Sequence, residues 1–432
     1  MKLHTPEPAP PPSGGWQRRV AIGVACFGLG WVLLRTAFEP LVVENGEAAA
    51  TEEEQRSISE AKLAAIDVLE RHAEPDRLYK RDAHAPAHGC VQARFTVRAD
   101  LPERFRQGVF RVPGRSYDAW VRFSNGIRSD DNEPDARGMS IKLLGVEGKK
   151  LLPAEEAEQT QDFVMINHDT FLAADVSEYL DFFQHQSRGD DFGYFIGFNP
   201  LGWHLRELWI GIQLLSKNTR NPLDATYYSM LPYELGPDQN IKFSVQPCDP
   251  HPELSAKKPD AAPRSRLDGS CPAREPDSEI EPGPHFLRAA LTRALAGDQG
   301  EGALERGLPA ARFAFRVQPQ VEGARMPVEN ASLTWSEAVS PFVALADLLI
   351  PYQRFDSEEQ NRFCENLSFN PWHALPEHRP IGGLNRARRV VYEAISSYRH
   401  EHNGVERHEP LGLCLRLDGQ PCPPATAEAS LP

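Results

Sequence analysis

Between residues 90 and 318 the apolar positions fall into short runs rich in β-branched and aromatic side chains. Residues 90–97, 117–124, 138–144, 162–166, 241–246 and 311–318 each read as a strand. Elsewhere the spacing is helical. Ile58, Ala61, Ala65 and Leu69 form a stripe behind Thr51 and Glu54, which fit a capping box. Residues 286–296, 341–349, 358–367 and 384–398 predict further helices. Residues 249–284 carry eight prolines and predict a surface excursion. After His402 the chain turns rich in proline and glycine and predicts a tail. Strands in this number, with helices between and after them, predict an α+β fold, a closed antiparallel β-barrel with peripheral and C-terminal helices.

One segment departs from this pattern. Residues 20–34 run without a charge, behind Arg18 and Arg19 and ahead of Glu39, Glu44, Glu47 and Glu52. Fifteen residues rise roughly 22 Å as helix, against a hydrocarbon core of about 30 Å. Arg35 can snorkel and Trp31 suits an interface. The charge bias puts the N-terminus in the cytoplasm and the body across the membrane, periplasmic in a bacterium. A cleaved signal peptide, giving an exported soluble protein, has the same signature. The expected organisation is a leader over 1–19, a membrane anchor or signal over 20–43, a helical arm over 44–74, a main domain over 75–402 and a tail over 403–432.

The 432 residues carry a net charge of −14 and no basic block beyond the extreme N-terminus, which excludes nucleic acid as a partner. Seven cysteines are too few for a disulfide scaffold. With Cys26 in the apolar segment, six would reach an oxidising compartment. Cys248 with Cys271 and Cys414 with Cys422 are candidate pairs, and buried free thiols are the alternative.

The chemistry lies on the last core helix. At 100° per residue Arg388, Tyr392 and Arg399 share one face. Arg388 reaches the Tyr392 phenol at i,i+4 and favours the phenolate. A phenolate is a hard ligand for ferric iron, and haem held by tyrosine is an established arrangement. Arg399 would then suit a haem propionate. Spacing alone describes a solvated basic face better than a ligand.

Five segments in order change that balance. R-x-x-x-Y with a further arginine seven residues on resembles the proximal haem segment of the haem catalases, and Leu367 to Pro371 (LSFNP) resembles the stretch before it. Tyr79 to Val97 (YKRDAHAPAHGCVQARFTV) resembles the segment carrying their distal histidine. Arg122–Phe123–Ser124, Asp135 to Lys142 (DARGMSIK) and Phe163 to Phe171 (FVMINHDTF) are similar to the strands that follow. The resemblance spans roughly residues 75–402. It implies a catalase-like barrel binding haem b, with Tyr392 on the iron, and allows a homo-oligomer. It makes His84 the distal acid–base, supported by Ser124, puts Arg81, Arg122 and Arg399 at the propionates, and places Phe171 near the porphyrin. A non-haem metal at His84, His88 or His168 lacks a supporting carboxylate or cysteine spacing.

The resemblance implies a peroxidase or weak catalase that cleaves hydrogen peroxide or organic hydroperoxides through a high-valent iron–oxo intermediate. Two alternatives remain, a fatty-acid hydroperoxide isomerase or lyase of the catalase-like type and a non-enzymatic haem-binding protein. The family's distal asparagine has no counterpart: its neighbourhood reads Glu158–Gln159–Thr160–Gln161–Asp162, where Gln159 or Gln161 would have to substitute. Pro86 also departs from the usual loop after the histidine.

Overall fold

Side chains that alternate across each strand decide the architecture. The computed structural model describes residues 45–71, 79, 84, 87–190, 192–197, 202–251, 271–276, 283–296 and 308–423. The leader, the 20–43 segment, Arg81 and most of the proline-rich excursion lie outside these. Nine strands are described: β1 Ala87–Val97, β2 Ser116–Asn125, β3 Arg137–Leu144, β4 Thr160–Ile166, β5 Tyr227–Tyr228, β6 Tyr233–Glu234, β7 Asn240–Cys248, β8 Pro309–Pro319 and β9 Val343–Pro351. Every pairing is antiparallel. β1 joins β9, and β5 bridges β4 to β7, so eight strands close into a barrel with β6 as an edge on β7.

The barrel is packed solid, as an eight-stranded one should be. Phe95, Phe123, Ile141, Phe163, Phe243 and Phe315 are among the buried residues that fill it. Phe163 and Phe315 meet edge-on at 4.8 Å between centroids. The alternate positions, Trp120, Arg122, Ser124 and Lys142, therefore face outward, where helices and loops cover them.

The helices are α1 Glu52–Arg71, α2 Val176–Arg188, α3 Leu205–Leu215, α4 Phe286–Ala296, α5 Glu358–Asn366 and α6 Gly383–His402. The α1 stripe is buried as its spacing predicts, against α2 and α6. Thr51 Oγ1 accepts from Glu54 N at 3.1 Å. The Glu54 carboxylate pairs with Arg386 of α6 at 2.6 Å, so the arm is clamped to the last helix. Among the described residues no helix is long and apolar enough to cross a membrane.

Two sequence expectations are corrected. Residues 341–349, expected as helix, form β9, which lies between β1 and β8 and completes the barrel. A short apolar run has no period that separates a buried strand from a buried helix. The segment after His402 is packed down as far as Leu417. Leu413, Leu415 and Leu417 lie against Trp120 and Phe363, and Trp120 Nε1 donates to the Gly412 carbonyl at 3.2 Å. Its proline and glycine content excludes helix but not contact, and its every-other-residue leucines were the missed signal.

Three disulfides join all six described cysteines. Cys248–Cys271 and Cys414–Cys422 are the expected pairs, and Cys90–Cys364 ties β1 to α5.

Under the docked C-terminal segment lies a buried ionic network. Lys142 Nζ sits 2.7 Å from Asp162 and 2.5 Å from Glu409. Thr160 Oγ1 donates to Glu409 at 2.8 Å. Removing the lysine leaves two carboxylates buried without their cation. Lys142→Met is expected to destabilise the protein by about 3–5 kcal/mol in denaturant unfolding. A loss below ~1 kcal/mol would show that the acids are held by other partners.

Candidate functional site

His84 is placed by the ends of β2 and β3. Its backbone N–H donates to the Gly126 carbonyl at 2.5 Å, and its own carbonyl accepts from Arg122 Nη2 at 2.7 Å. Its Nδ1 lies 3.0 Å from the Asn125 carbonyl and 3.2 Å from Ser124 Oγ. A carbonyl only accepts, so that contact puts a ring proton on Nδ1, and in the neutral ring Nε2 then carries the lone pair. His84 has φ 59°, a left-handed conformation that costs energy in any residue with a Cβ. Arg122 and Ser124, two residues apart on β2, thus point to the same outer face and hold the histidine from both ends.

Gly138 of β3 makes the room. A Cβ there would lie 2.4 Å from His84 Nδ1 and 2.7 Å from Ser124 Oγ. Gly138→Ala should therefore displace the imidazole while leaving α6 untouched. We expect the His84 ring resonances to shift in the variant while those of Tyr392 keep their wild-type positions, read by NMR. Unchanged His84 resonances would mean that Gly138 does not make room for the ring.

A second layer was not legible in the sequence. Asn125 Oδ1 meets His88 Nε2 at 2.9 Å and also takes a bond from Arg137, while Asn125 Nδ2 donates to Asp131 at 2.7 Å. Burial, with the Arg137 charge beside it, pushes the His88 pKa down to about 3, so this imidazole is neutral. His88 therefore pins the turn whose carbonyl orients His84. Only its position four residues after His84 hinted at this.

On α6, Arg388 Nη2 donates to the Tyr392 hydroxyl at 3.3 Å, as the i,i+4 spacing predicts. Arg388 is 1% exposed and, among the described residues, pairs with no carboxylate. Asn385 Oδ1 lies at 3.5 Å. Burial works against its charge, but the Tyr392 and Tyr233 phenols outweigh that and hold its pKa above the ordinary value. The buried guanidinium thus aims a donor at the Tyr392 oxygen, the atom that would ligate ferric iron. The residues present thus fit a haem on this helix.

The remaining candidates fall differently. Arg399 Nη1 is held by the Glu365 carboxylate and carbonyl, each at 2.9 Å. Phe171 is half-buried in the helical layer, 5.6 Å from the Tyr179 ring. Tyr79 is tied to the C-terminal end of α6 through Asn403 and Tyr398. The stretch containing His84 therefore leaves α6 at Tyr79 and enters the barrel at Ala87. Neither glutamine near the missing asparagine stands by His84. Gln159 is exposed, and Gln161 accepts from Leu375 N at 3.0 Å. Gln161 pairs with Leu143 while Ile166 pairs with Gly138, five positions along the strand, or roughly 17 Å.

His168 bonds within its own turn, to Thr170 at 3.0 Å, and does not join His84 and His88. Among the described residues one trio, Glu155, His373 and Glu409, has metal-ligand spacing. Its carboxylates are already engaged by Arg407 and Lys142, so protein cations fill the role a metal would have.

The fold is similar to that of a fungal catalase, with a TM-score of 0.52 and 15% identity over 91% of this chain and 76% of the other. It is similar to catalase A from Saccharomyces cerevisiae at 0.52 and 16%, over 91% and 79%. At this identity the likeness shows the fold alone. No family model matches the chain, and no curated protein matches it in sequence.

Proposed function

We propose that this protein is a haem-dependent peroxidase of the catalase-like fold, acting on hydrogen peroxide or an organic hydroperoxide. The observation that carries the reading is the contact of buried Arg388 with the Tyr392 hydroxyl, together with a histidine whose Nδ1 is oriented by the Asn125 carbonyl. Haem, when bound, supplies the iron at which the peroxide bond is cleaved. Tyr392 would be its ligand from α6, with Arg388 donating to that oxygen. His84 Nε2 takes the proton from the near peroxide oxygen and returns it to the far one, which leaves as water or an alcohol. Ser124 and the Asn125 carbonyl hold the imidazole in the tautomer that allows this. Arg122 is one candidate for a propionate. Arg81 is a second, and Arg399 would have to leave Glu365 to be a third.

Turnover that consumes an added reductant is favoured over dismutation, because among the described residues no amide corresponding to the family's asparagine stands beside His84 to hold a second peroxide. The test is the absorbance of the purified protein followed by peroxide turnover with and without reductant. A Soret band with reductant-dependent turnover supports the reading. Haem-free protein overturns it, and oxygen release without reductant overturns the preference for peroxidase chemistry.

We further propose that the body is exported and anchored through residues 20–43. Three disulfides support export, since such bonds persist in oxidising compartments. The charge-free run behind two arginines supports the anchor.

A further inference from the structure

Helix α3 is turned the unusual way round. It buries a glutamate and shows its apolar side chains. Glu207, 4% exposed, packs inward with Ile210 and Gly211, and burial with the nearby Glu178 raises its pKa to about 7. Leu205, Leu208, Trp209, Ile212 and Leu215 occupy roughly 120° of the opposite face. Trp209 and Ile212 are each 50% exposed and Leu215 is 47% exposed. The preceding loop exposes two further aromatic residues, Phe192 at 64% and Trp203 at 38%. The Trp203 indole is fixed by the Gly197 carbonyl at 2.8 Å, and Phe195 packs beside Gly211, which seats the loop against the helix. An apolar face of this kind on a soluble body marks a surface that something covers.

From this we infer that the α3 face, with Phe192 and Trp203, docks the body onto the boundary region of a lipid bilayer. Three features favour lipid over protein. Tryptophan is the residue suited to the bilayer interface, and the face carries two. Arg220 follows the helix and is exposed, where headgroup phosphates would lie, while the Lys217 amine turns back to the Asn167 carbonyl. A net charge of −14 on each chain opposes a second copy. The chain's own course agrees. The apolar run at 20–34 enters the described structure at Asn45, which is tied to Met326 N at 3.0 Å and Gln320 at 2.8 Å. The same loop continues to Ser332, whose hydroxyl accepts from Arg206 of α3 at 3.4 Å. The surface contact is separate from the proposed anchor and does not depend on it.

The test uses full-length protein in phosphatidylcholine vesicles that carry a photoactivatable acyl chain. After irradiation, labelled peptides are mapped by mass spectrometry. The 202–217 region should be labelled, and Ile212→Glu should cut that labelling about tenfold with the melting temperature unchanged. Trp209→Ser provides the same reading should the first variant fold poorly. Labelling of residues 20–43 reports the anchor independently. If 202–217 is labelled and 20–43 is not, the docking surface stands and the anchor falls. No label on 202–217, or equal label in both variants, overturns the inference. So does a detergent-stable dimer that Ile212→Glu dissociates without any lipid label on α3.

Discussion

Tyr392→Phe is expected to yield a folded protein that retains little or no haem. The substitution removes one oxygen and leaves the ring packing of α6 in place. It also removes the hydroxyl to which Arg388, buried at 1% exposure, donates. Two costs therefore coincide, loss of the ferric ligand and a buried guanidinium deprived of an acceptor, the latter worth about 1–3 kcal/mol. The Soret band and iron content per chain measure the first. Thermal unfolding of apo wild type against apo variant measures the second. Haem occupancy and spectrum like those of the wild type would remove Tyr392 from the iron. Arg388→Met in the Tyr392→Phe background should recover stability without recovering haem, because it removes the stranded charge and leaves the ligand absent.

His84→Ala has the complementary outcome. Its haem content should match the wild type, since the proposed ligand is on α6, yet peroxide cleavage should slow by about 10²- to 10⁴-fold. Relief of its left-handed backbone is not expected, because alanine is as strained there as histidine. His88→Ala should reduce the rate less, since it acts through Asn125 rather than on the substrate. A variant series in which His88→Ala is the more damaging change would reverse the two assignments. Normal turnover in both would remove distal acid–base catalysis from the proposal.

The barrel was largely legible because its strands carry their own evidence. Alternation at positions such as Phe95, Val97, Phe163 and Met165 survives in any window of six residues. The three longer predicted helices could be read for a similar reason. β9 could not, because Ala344, Leu345 and Ala346 are consecutive and all buried, which is what a strand enclosed on both sides shares with a buried helix. β5 and β6 are two residues each and leave no period at all. α3 escaped because its apolar residues run almost around the helix, and nothing in composition says which side faces out. On α6 the Arg388–Tyr392 contact follows from helical geometry alone. The cradle around His84 does not, since Gly138 and Asn125 reach it only through barrel register. Glu365 opposite Arg399 is likewise a tertiary fact, joining two helices that the sequence separates by a loop.

The Cys90–Cys364 bond has a consequence for biogenesis. Its partners are 274 residues apart, with Cys248 and Cys271 between them. If the chain emerges N-terminus first into an oxidising compartment and thiols are joined in order of appearance, Cys90 meets Cys248, and Cys271 is left for Cys364. Only Cys414–Cys422 would be correct by default. Native connectivity thus requires either that the barrel closes before its thiols are oxidised or that a disulfide isomerase reshuffles them. Yield in a host lacking such an isomerase should drop, and Cys90→Ala/Cys364→Ala should restore it by removing the competitor for Cys248.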